Sequence, residues 1–191
     1  MNDEKDDMWA EINRTLAEES EAIAAGFRDP AKALSVLQDI ASERRADWDA
    51  VQRRSPDEND PMPHWPTEVL SVLHASHEQS LCGSVGTFTA KVRCDDGVER
   101  YAVYGEYSDD GDRENPPDRG CDVSYYDEPQ LTEQEREFLT KVHARAYHSQ
   151  QWYRDDFHKD LRKSVTDKGC VSYEGSRTVL SPLGKLAMGV S

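Results

Sequence analysis

The chain has 191 residues, of which 36% are hydrophobic and 32% charged, and its formal net charge is −15. This length is enough for one domain of ordinary size, and the apolar fraction excludes a fully disordered chain. A strongly negative chain repels phosphate, which excludes direct nucleic-acid binding by charge attraction and favours basic partners.

Two amphipathic helices are predicted at the N-terminus. Apolar residues recur at helical spacing over residues 8–26 and again over about 30–53. Gly26 suits the end of the first helix, and Asp29-Pro30 suits the N-cap and first turn of the second. Such a short connection predicts an antiparallel helical hairpin over residues 1–54.

The apolar face of this hairpin is an alternative interaction surface, for a homodimer or for a structural adaptor. Its candidate contact residues are Trp9, Leu34, Leu37 and Trp48.

A proline-rich, acidic break over residues 55–66 predicts a linker, within which Trp65 is expected to dock on a folded element. The remaining residues, 67–191, are predicted to form an α+β body. A short helix is expected from Thr67 to about Gln79, because its apolar residues are spaced as on a helix. These residues are Val69, Leu70, Val72 and Leu73.

The first predicted strand begins near Val85, because apolar and polar residues alternate from there as far as Val92. Asp96-Gly97 predicts a two-residue hairpin turn, because both residues accept a positive φ. The partner strand is expected over about 98–107, and Cys121–Tyr126 predicts a third strand.

Thr132 and Glu135 form a capping box that predicts a helix running to about residue 165. Two short strands are expected at about Cys170–Tyr173 and Thr178–Leu180. The fold class is therefore predicted as α+β, with an N-terminal helical hairpin and a small antiparallel sheet of three to five strands packed against a long C-terminal helix.

The cysteines and the N-terminus indicate the compartment. The four cysteines are widely spaced and include no CxxC pair, so free thiols in a reducing compartment are expected. The first seven residues are acidic, unlike the basic start of a secretory signal, and no apolar run approaches the roughly 20 residues of a membrane helix. We therefore expect a cytoplasmic protein with no membrane segment.

Metal binding has two weak candidates. His74, His77, Cys82 and Cys94 carry zinc-ligand chemistry, but the intervals between them match no common zinc framework. The loop at 108–118 crowds carboxylates around a glycine, but it departs from the calcium-loop template at decisive positions. No metal or other cofactor is predicted.

Catalytic motifs are absent from the sequence. There is no GxSxG, GxxxxGK, GxGxxG or HExxH pattern. A binding protein is therefore favoured over an enzyme, with a metal-dependent enzyme of unrecognised type as an alternative.

Acidic residues are concentrated in residues 95–137, which contain 15 acids and 4 bases for a net charge of −11. Phosphates in each strand of a duplex recur about every 3.4 Å, and alternate residues of a β-strand lie about twice that far apart. Carboxylates on strands and helix starts can therefore approximate a phosphate track, although solubility alone also explains a negative surface. The candidate partner-binding residues are Asp109, Asp110, Asp112, Glu114, Asp118, Asp122, Asp127, Glu128, Glu133 and Glu135.

In acidity, size and lack of catalytic motifs, the chain resembles phage-encoded anti-defence proteins, including DNA-mimicking anti-restriction proteins and anti-CRISPR proteins. The resemblance is one of composition, and no site residue carries over from it. It implies an inhibitor whose carboxylate face occupies a nucleic-acid channel. We therefore predict a non-enzymatic interaction protein that inhibits or regulates a basic, nucleic-acid-handling protein.

Overall fold

The computed structural model describes residues 3–111, 116–145, 147–148, 159–174 and 177–190. They belong to two compact units, Met1–Tyr125 and Tyr126–Ser191. The helical hairpin of residues 1–54 thus shares a compact unit with the sheet that follows it. The division into a hairpin (1–54), a linker (55–66) and a body (67–191) stays a prediction.

The first unit opens with the predicted helical hairpin, α1 (Asp3–Arg28) and α2 (Pro30–Arg54). The Asp29 side chain accepts a hydrogen bond from the Ala31 amide at 3.0 Å, and Pro30 occupies the first turn of α2. A carboxylate N-cap followed by proline starts a helix abruptly, which is why only one residue separates α1 from α2.

Four strands follow the hairpin: β1 (Pro66–Ser80), β2 (Gly83–Cys94), β3 (Glu99–Asp109) and β4 (Asp118–Tyr126), of which only the last residue of β4 lies outside the first unit. They form one sheet in the order β1–β2–β3–β4, in which β1 and β3 both run antiparallel to β2. The Asp96-Gly97 turn is confirmed, with Gly97 at φ +77° between β2 and β3.

The hairpin covers one face of this sheet and forms the core with it. Phe88 in β2 is fully buried, and its ring centroid lies 4.8 Å from Tyr104 in β3 and 5.5 Å from Phe27 at the end of α1. Leu37 of α2 is also fully buried in this core. The sheet is therefore backed by the N-terminal hairpin, which corrects the expectation that a C-terminal helix would back it.

The helix predicted over Thr67–Gln79 is wrong, because these residues form β1. The pairing of β1 with β2 shifts register three times before His74, as β-bulges do. Each bulge adds a residue, so the core-facing positions Val69, Val72 and Ala75 fall three apart instead of two. Their spacing therefore resembles that of a helix.

The proline-rich segment between α2 and β1 is held against its neighbours. The Arg45 guanidinium lies 5.2 Å from the centre of the Trp65 ring and donates to the Pro63 carbonyl at 2.9 Å. The Asp95 amide donates to the Trp65 carbonyl at 2.8 Å. The docking predicted for Trp65 is thus confirmed.

In the second unit, the single long helix expected over about 132–165 is wrong. Helix α3 (Glu133–Arg145) is followed by strand β5 (Tyr147–His148), and helix α4 spans Lys159–Asp167. The strand ends the helix because Tyr147 pairs with Thr178, a residue distant in the sequence.

Two further strands, β6 (Val171–Glu174) and β7 (Arg177–Leu180), confirm the predicted closing pair, and β7 lies between β5 and β6. Helix α5 (Pro182–Met188), which the sequence analysis missed, follows β7. Both described units therefore mix helices with antiparallel strands, and the α+β class is confirmed.

Candidate functional site

Three of the predicted partner-binding residues lie at one end of the four-stranded sheet. Asp109 ends β3, Asp110 follows it, and Asp118 begins β4, and all three are exposed. We call this group the acidic end. The side chain of Asp109 accepts from the Gly111 amide at 2.8 Å, and the Tyr107 hydroxyl donates to Asp118 at 2.9 Å. None of the three has a basic partner among the described residues.

At the opposite end of the β2–β3 hairpin, acidic residues are neutralised. Arg45 binds Asp95 at 2.5 Å and Arg100 binds Asp96 at 2.7 Å. The hydrogen bond from Arg100 holds the pKa of Asp96 at about 2. Lys91 and Arg93 both bind Glu99, and Arg93 also binds Glu68.

The remaining candidates are scattered. Asp112 and Glu114 lie outside the described residues. Asp122 pairs with Arg44 of α2, whose guanidinium also donates to the Val123 carbonyl at 2.7 Å. Asp127, Glu128 and Glu133 are exposed residues of the second unit.

The burial of Glu135 corrects the expectation that it contacts a partner. This residue is 3% exposed, and its carboxylate already has four hydrogen bonds. Lys168 donates to both oxygens, the Ser164 hydroxyl donates at 2.5 Å and the Thr132 amide at 2.7 Å. The reciprocal bond, from the Glu135 amide to the Thr132 hydroxyl at 3.2 Å, confirms the capping box. Glu135 therefore stabilises its own unit and is not available to a partner.

A pocket of about 650 Å³ opens between α1 and the end of β1. Helix α1 supplies Asn13, Ser20 and Glu21, and β1 supplies His77 and Glu78. The Gln79 amide donates to the Ser20 hydroxyl at 3.0 Å and ties the strand to the helix at this point.

His77 is 8% exposed, and its Nδ1 is buried without a hydrogen-bond partner in the described structure. Its ring lies beside Glu106, because a Cβ placed on Gly86 would meet His77 Cδ2 at 3.1 Å and Glu106 Oε1 at 2.6 Å. Glu106 accepts from the Tyr104 hydroxyl at 2.6 Å. Burial, together with this bond, raises the pKa of Tyr104, so the phenol stays protonated.

The four zinc candidates do not come together. His77 is buried on the hairpin side of β1 whereas His74 is exposed. Cys82 lies in the β1–β2 turn, and Cys94 ends β2 at its far end, opposite Pro66. In the part of the chain that the structure describes, no three His, Cys, Asp or Glu residues form a group that could hold a metal ion.

A second pocket, of about 420 Å³, lies between α2, the proline-rich segment and β4. It is mainly apolar, with Ala41, Met62 and Val123 among its walls. Burial raises the pKa of Tyr125 to about 12, and its hydroxyl is buried without a hydrogen-bond partner.

The hairpin surface is only partly available for contacts. Leu37 is fully buried in the unit's own core, and the Trp48 ring nitrogen donates to the Asp60 carbonyl at 3.2 Å. Trp9 is 47% exposed on α1. A dimer or adaptor contact through Leu37 is therefore excluded while the hairpin covers the sheet.

Sequence reasoning missed the pocket because it assigned His77 to a helix. The available signal was the polar run Ser76–Ser80 before Gly83, which fits the exposed end of a strand better than a helix interior. That Ser76–Ser80 pairs with β2 could be recognised only from the tertiary structure.

Comparison with protein-family models, with curated proteins and with solved structures finds no match. Among the described helices, none has both the length and the apolar character needed to span a bilayer.

Proposed function

We propose that the chain is a non-enzymatic interaction protein that inhibits or regulates a basic, nucleic-acid-handling protein in the cytoplasm. The acidic end would contact the partner's lysine- and arginine-lined nucleic-acid site. The compositional resemblance to anti-restriction and anti-CRISPR proteins favours competition with nucleic acid as the mode of inhibition.

One observation carries the proposal: the two ends of the β2–β3 hairpin differ in how their acids are paired. At the Asp96-Gly97 end, arginine and lysine side chains bind the carboxylates, whereas Asp109, Asp110 and Asp118 have no such partner in the described residues. A general need for solubility does not by itself predict this difference between the described carboxylates at the two ends of the hairpin. Carboxylates that no basic side chain binds within the described structure can instead contact a basic surface of a partner.

Affinity capture from a cytoplasmic lysate tests this function at about 0.1 M and about 0.5 M salt, between which the Debye length falls from roughly 10 Å to less than half that. We expect a basic nucleic-acid-binding protein to be retained at low salt, lost at high salt and displaced by added DNA or RNA. Salt-resistant capture of an unrelated partner would contradict the proposal.

Two charge-matched variants locate the surface. Asp109→Asn, Asp110→Asn and Asp118→Asn together remove three charges from the acidic end. Asp39→Asn, Glu43→Gln and Asp49→Asn remove three exposed charges from α2, where no basic partner binds them among the described residues. The first variant should lose the low-salt partner and the second should keep it. Equal retention by both would remove the acidic end from the proposal.

A further inference from the structure

Helix α1 continues past the end of strand β1. The Phe27 ring packs on Phe88, which pairs with Ala75, and the Ser20 hydroxyl accepts from the Gln79 amide at 3.0 Å. The helix therefore runs antiparallel to the strand. Strand β1 ends one residue after Gln79, whereas α1 extends from Ser20 towards its N-terminus by about 25 Å, at about 1.5 Å per residue. The first turns of α1 thus lie beyond the end of β1.

The side of α1 that packs on the sheet remains apolar in these first turns. An α-helix has about 3.6 residues per turn, so Trp9, five turns before Phe27, points in the same direction. Phe27 is 9% exposed in the core of the unit, but Trp9 is 47% exposed and Met8 is 50% exposed. Leu81, in the turn after β1, is 61% exposed and lines one pocket together with Leu16 of α1. We give the name apolar patch to Met8, Trp9, Ile12, Leu16 and Leu81.

Negative charge borders the apolar patch on two sides. Along the helix, Glu11 and Glu19 are exposed, and α1 as a whole contains eight acids and three bases. On the sheet, the Asp110 amide donates to the Cys82 carbonyl at 3.1 Å, so the acidic end adjoins Leu81, the residue before Cys82. Exposed apolar patches with a polar rim mark interaction sites. A rim of this charge favours a partner with a positive surface.

The spacing of the patch residues suits contact with another helix. Trp9, Ile12 and Leu16 recur at intervals of three and four residues, as in a row through which two helices pack side by side. A second copy of α1 would bring two negative helices together, whereas a helix with lysine or arginine beside its apolar row would bring opposite charges together. Charge complementarity therefore favours a basic amphipathic helix over a second copy of this chain.

We propose that the apolar patch binds a basic amphipathic helix of the partner, an inference that rests on the proposed function. The apolar face of that helix packs on Trp9 and Ile12, and its lysine and arginine side chains reach Glu11, Glu19 and the acidic end. The patch excludes water from the centre of the contact, and the carboxylates form its rim. The acidic end thus attracts the partner, and the apolar patch selects the segment of the partner that binds.

The test uses the full chain and two fluorescent peptides of about 18 residues, which is about five helical turns. Both peptides contain the same numbers of leucines and lysines. In the amphipathic peptide the leucines form one helical face, and in the scrambled peptide they form none. We expect fluorescence anisotropy at about 0.1 M salt to show that the amphipathic peptide binds about tenfold more tightly, because it alone presents an apolar face.

Two double variants locate the contact. Met8→Ser with Trp9→Ser, the patch variant, removes two exposed side chains of the apolar patch. Val51→Ser with Val98→Ser, the control variant, removes two apolar side chains that are 54% and 43% exposed elsewhere in the unit. The patch variant should bind the amphipathic peptide about tenfold more weakly and the scrambled peptide unchanged within about twofold. The control variant should bind both peptides within about twofold of the original chain.

The outcomes separate this inference from the function on which it rests. Weaker binding of the amphipathic peptide by the patch variant alone supports the docking of a basic helix. Equal, salt-sensitive binding of both peptides, or equal weakening by both variants, overturns the docking and leaves the acidic-end function standing. A homodimer in sedimentation that the patch variant dissociates also overturns the docking, because a second copy then covers the patch. If neither peptide binds at low salt, the docking and the function both fail.

Discussion

The ammonium of Lys168 donates to both carboxylate oxygens of Glu135, at 2.7 and 2.8 Å, and Glu135 is only 3% exposed. The partners are 33 residues apart in the sequence, and Lys168 also donates to the Gln130 carbonyl at 2.8 Å. This pair joins the start of α3 to the turn after α4.

Replacing Glu135 with glutamine should destabilise the second unit by about 1–3 kcal/mol, because it removes the charge that Lys168 binds and leaves a buried group poorly paired. Urea-dependent reactivity of Cys170, a buried thiol of the same unit, measures the change. Glu133→Gln, an exposed change in the same helical turn, should alter the free energy of unfolding by no more than about 0.5 kcal/mol. Equal effects of the two changes would contradict the assigned role of Glu135.

Glu135 should also give the second unit an acid-sensitive stability. Burial alone would raise its pKa, but the hydrogen bonds from Lys168, Ser164 and Thr132 outweigh burial and lower it from 4.5 to about 2. The unfolded chain binds a proton first, so this contribution is complete above pH 4.5 and is lost as the pH falls towards 2. Its size is on the order of 3 kcal/mol.

The free energies of unfolding of the original chain and of Glu135→Gln, compared over this pH range, test whether Glu135 causes the loss of stability in acid. The variant should lack this part of the decline with acid. If the two chains lose stability in parallel, the carboxylate is not its source.

Gly184→Ala should severely destabilise the second unit. A Cβ at Gly184 would lie 2.0 Å from the Cys170 carbonyl oxygen, and this backbone contact cannot be relieved by a rotamer change. Overpacking of this kind costs about 3 kcal/mol. Gly105→Ala is the matched control, because its Cβ would meet nothing within 4 Å. Thermal unfolding measures the stability of both variants. If Gly184→Ala proved as stable as the control, the close packing of Gly184 against Cys170 would be refuted.

Leu37→Ala should destabilise the first unit by about 2–5 kcal/mol, because this side chain is completely buried in the core between hairpin and sheet. Val51→Ala on the same helix should change stability by less than about 0.5 kcal/mol, since Val51 is 54% exposed. Denaturant unfolding followed by circular dichroism measures both. A negligible effect of Leu37→Ala would mean that the hairpin does not cover the sheet.

Two of the four thiols should react fast with a thiol reagent, and the other two should react slowly. Cys82 and Cys121 are exposed, whereas Cys94 and Cys170 are buried. Burial raises the pKa of Cys94 and raises that of Cys170 to about 11, so both buried residues hold little reactive thiolate. Labelling followed by peptide mass spectrometry should find Cys94 and Cys170 modified only on unfolding. Rapid modification of either would contradict its burial.

Signals confined to a few neighbouring residues were sufficient to predict much of the fold. Asp29-Pro30, Asp96-Gly97 and the Thr132–Glu135 capping box each depend on hydrogen bonds or backbone angles within a span of four residues. The two N-terminal helices could be predicted equally well, because a 3.6-residue apolar period persists through each of them. Counting acids and bases likewise showed the acidity of residues 95–137. It did not show which carboxylates form ion pairs.

Contacts between residues far apart in the sequence decided the rest. Bulged pairing with β2 turned an apparent helix into β1 and placed His77 beside the pocket, and pairing of Tyr147 with Thr178 ended α3. Lys168 buried Glu135, whereas Asp109, Asp110 and Asp118 kept exposed positions at the sheet's end. The sequence by itself determined where charge and periodicity lie, because these are local properties of the chain. Only the tertiary structure decided which charges are neutralised, because ion pairing depends on distances that folding creates.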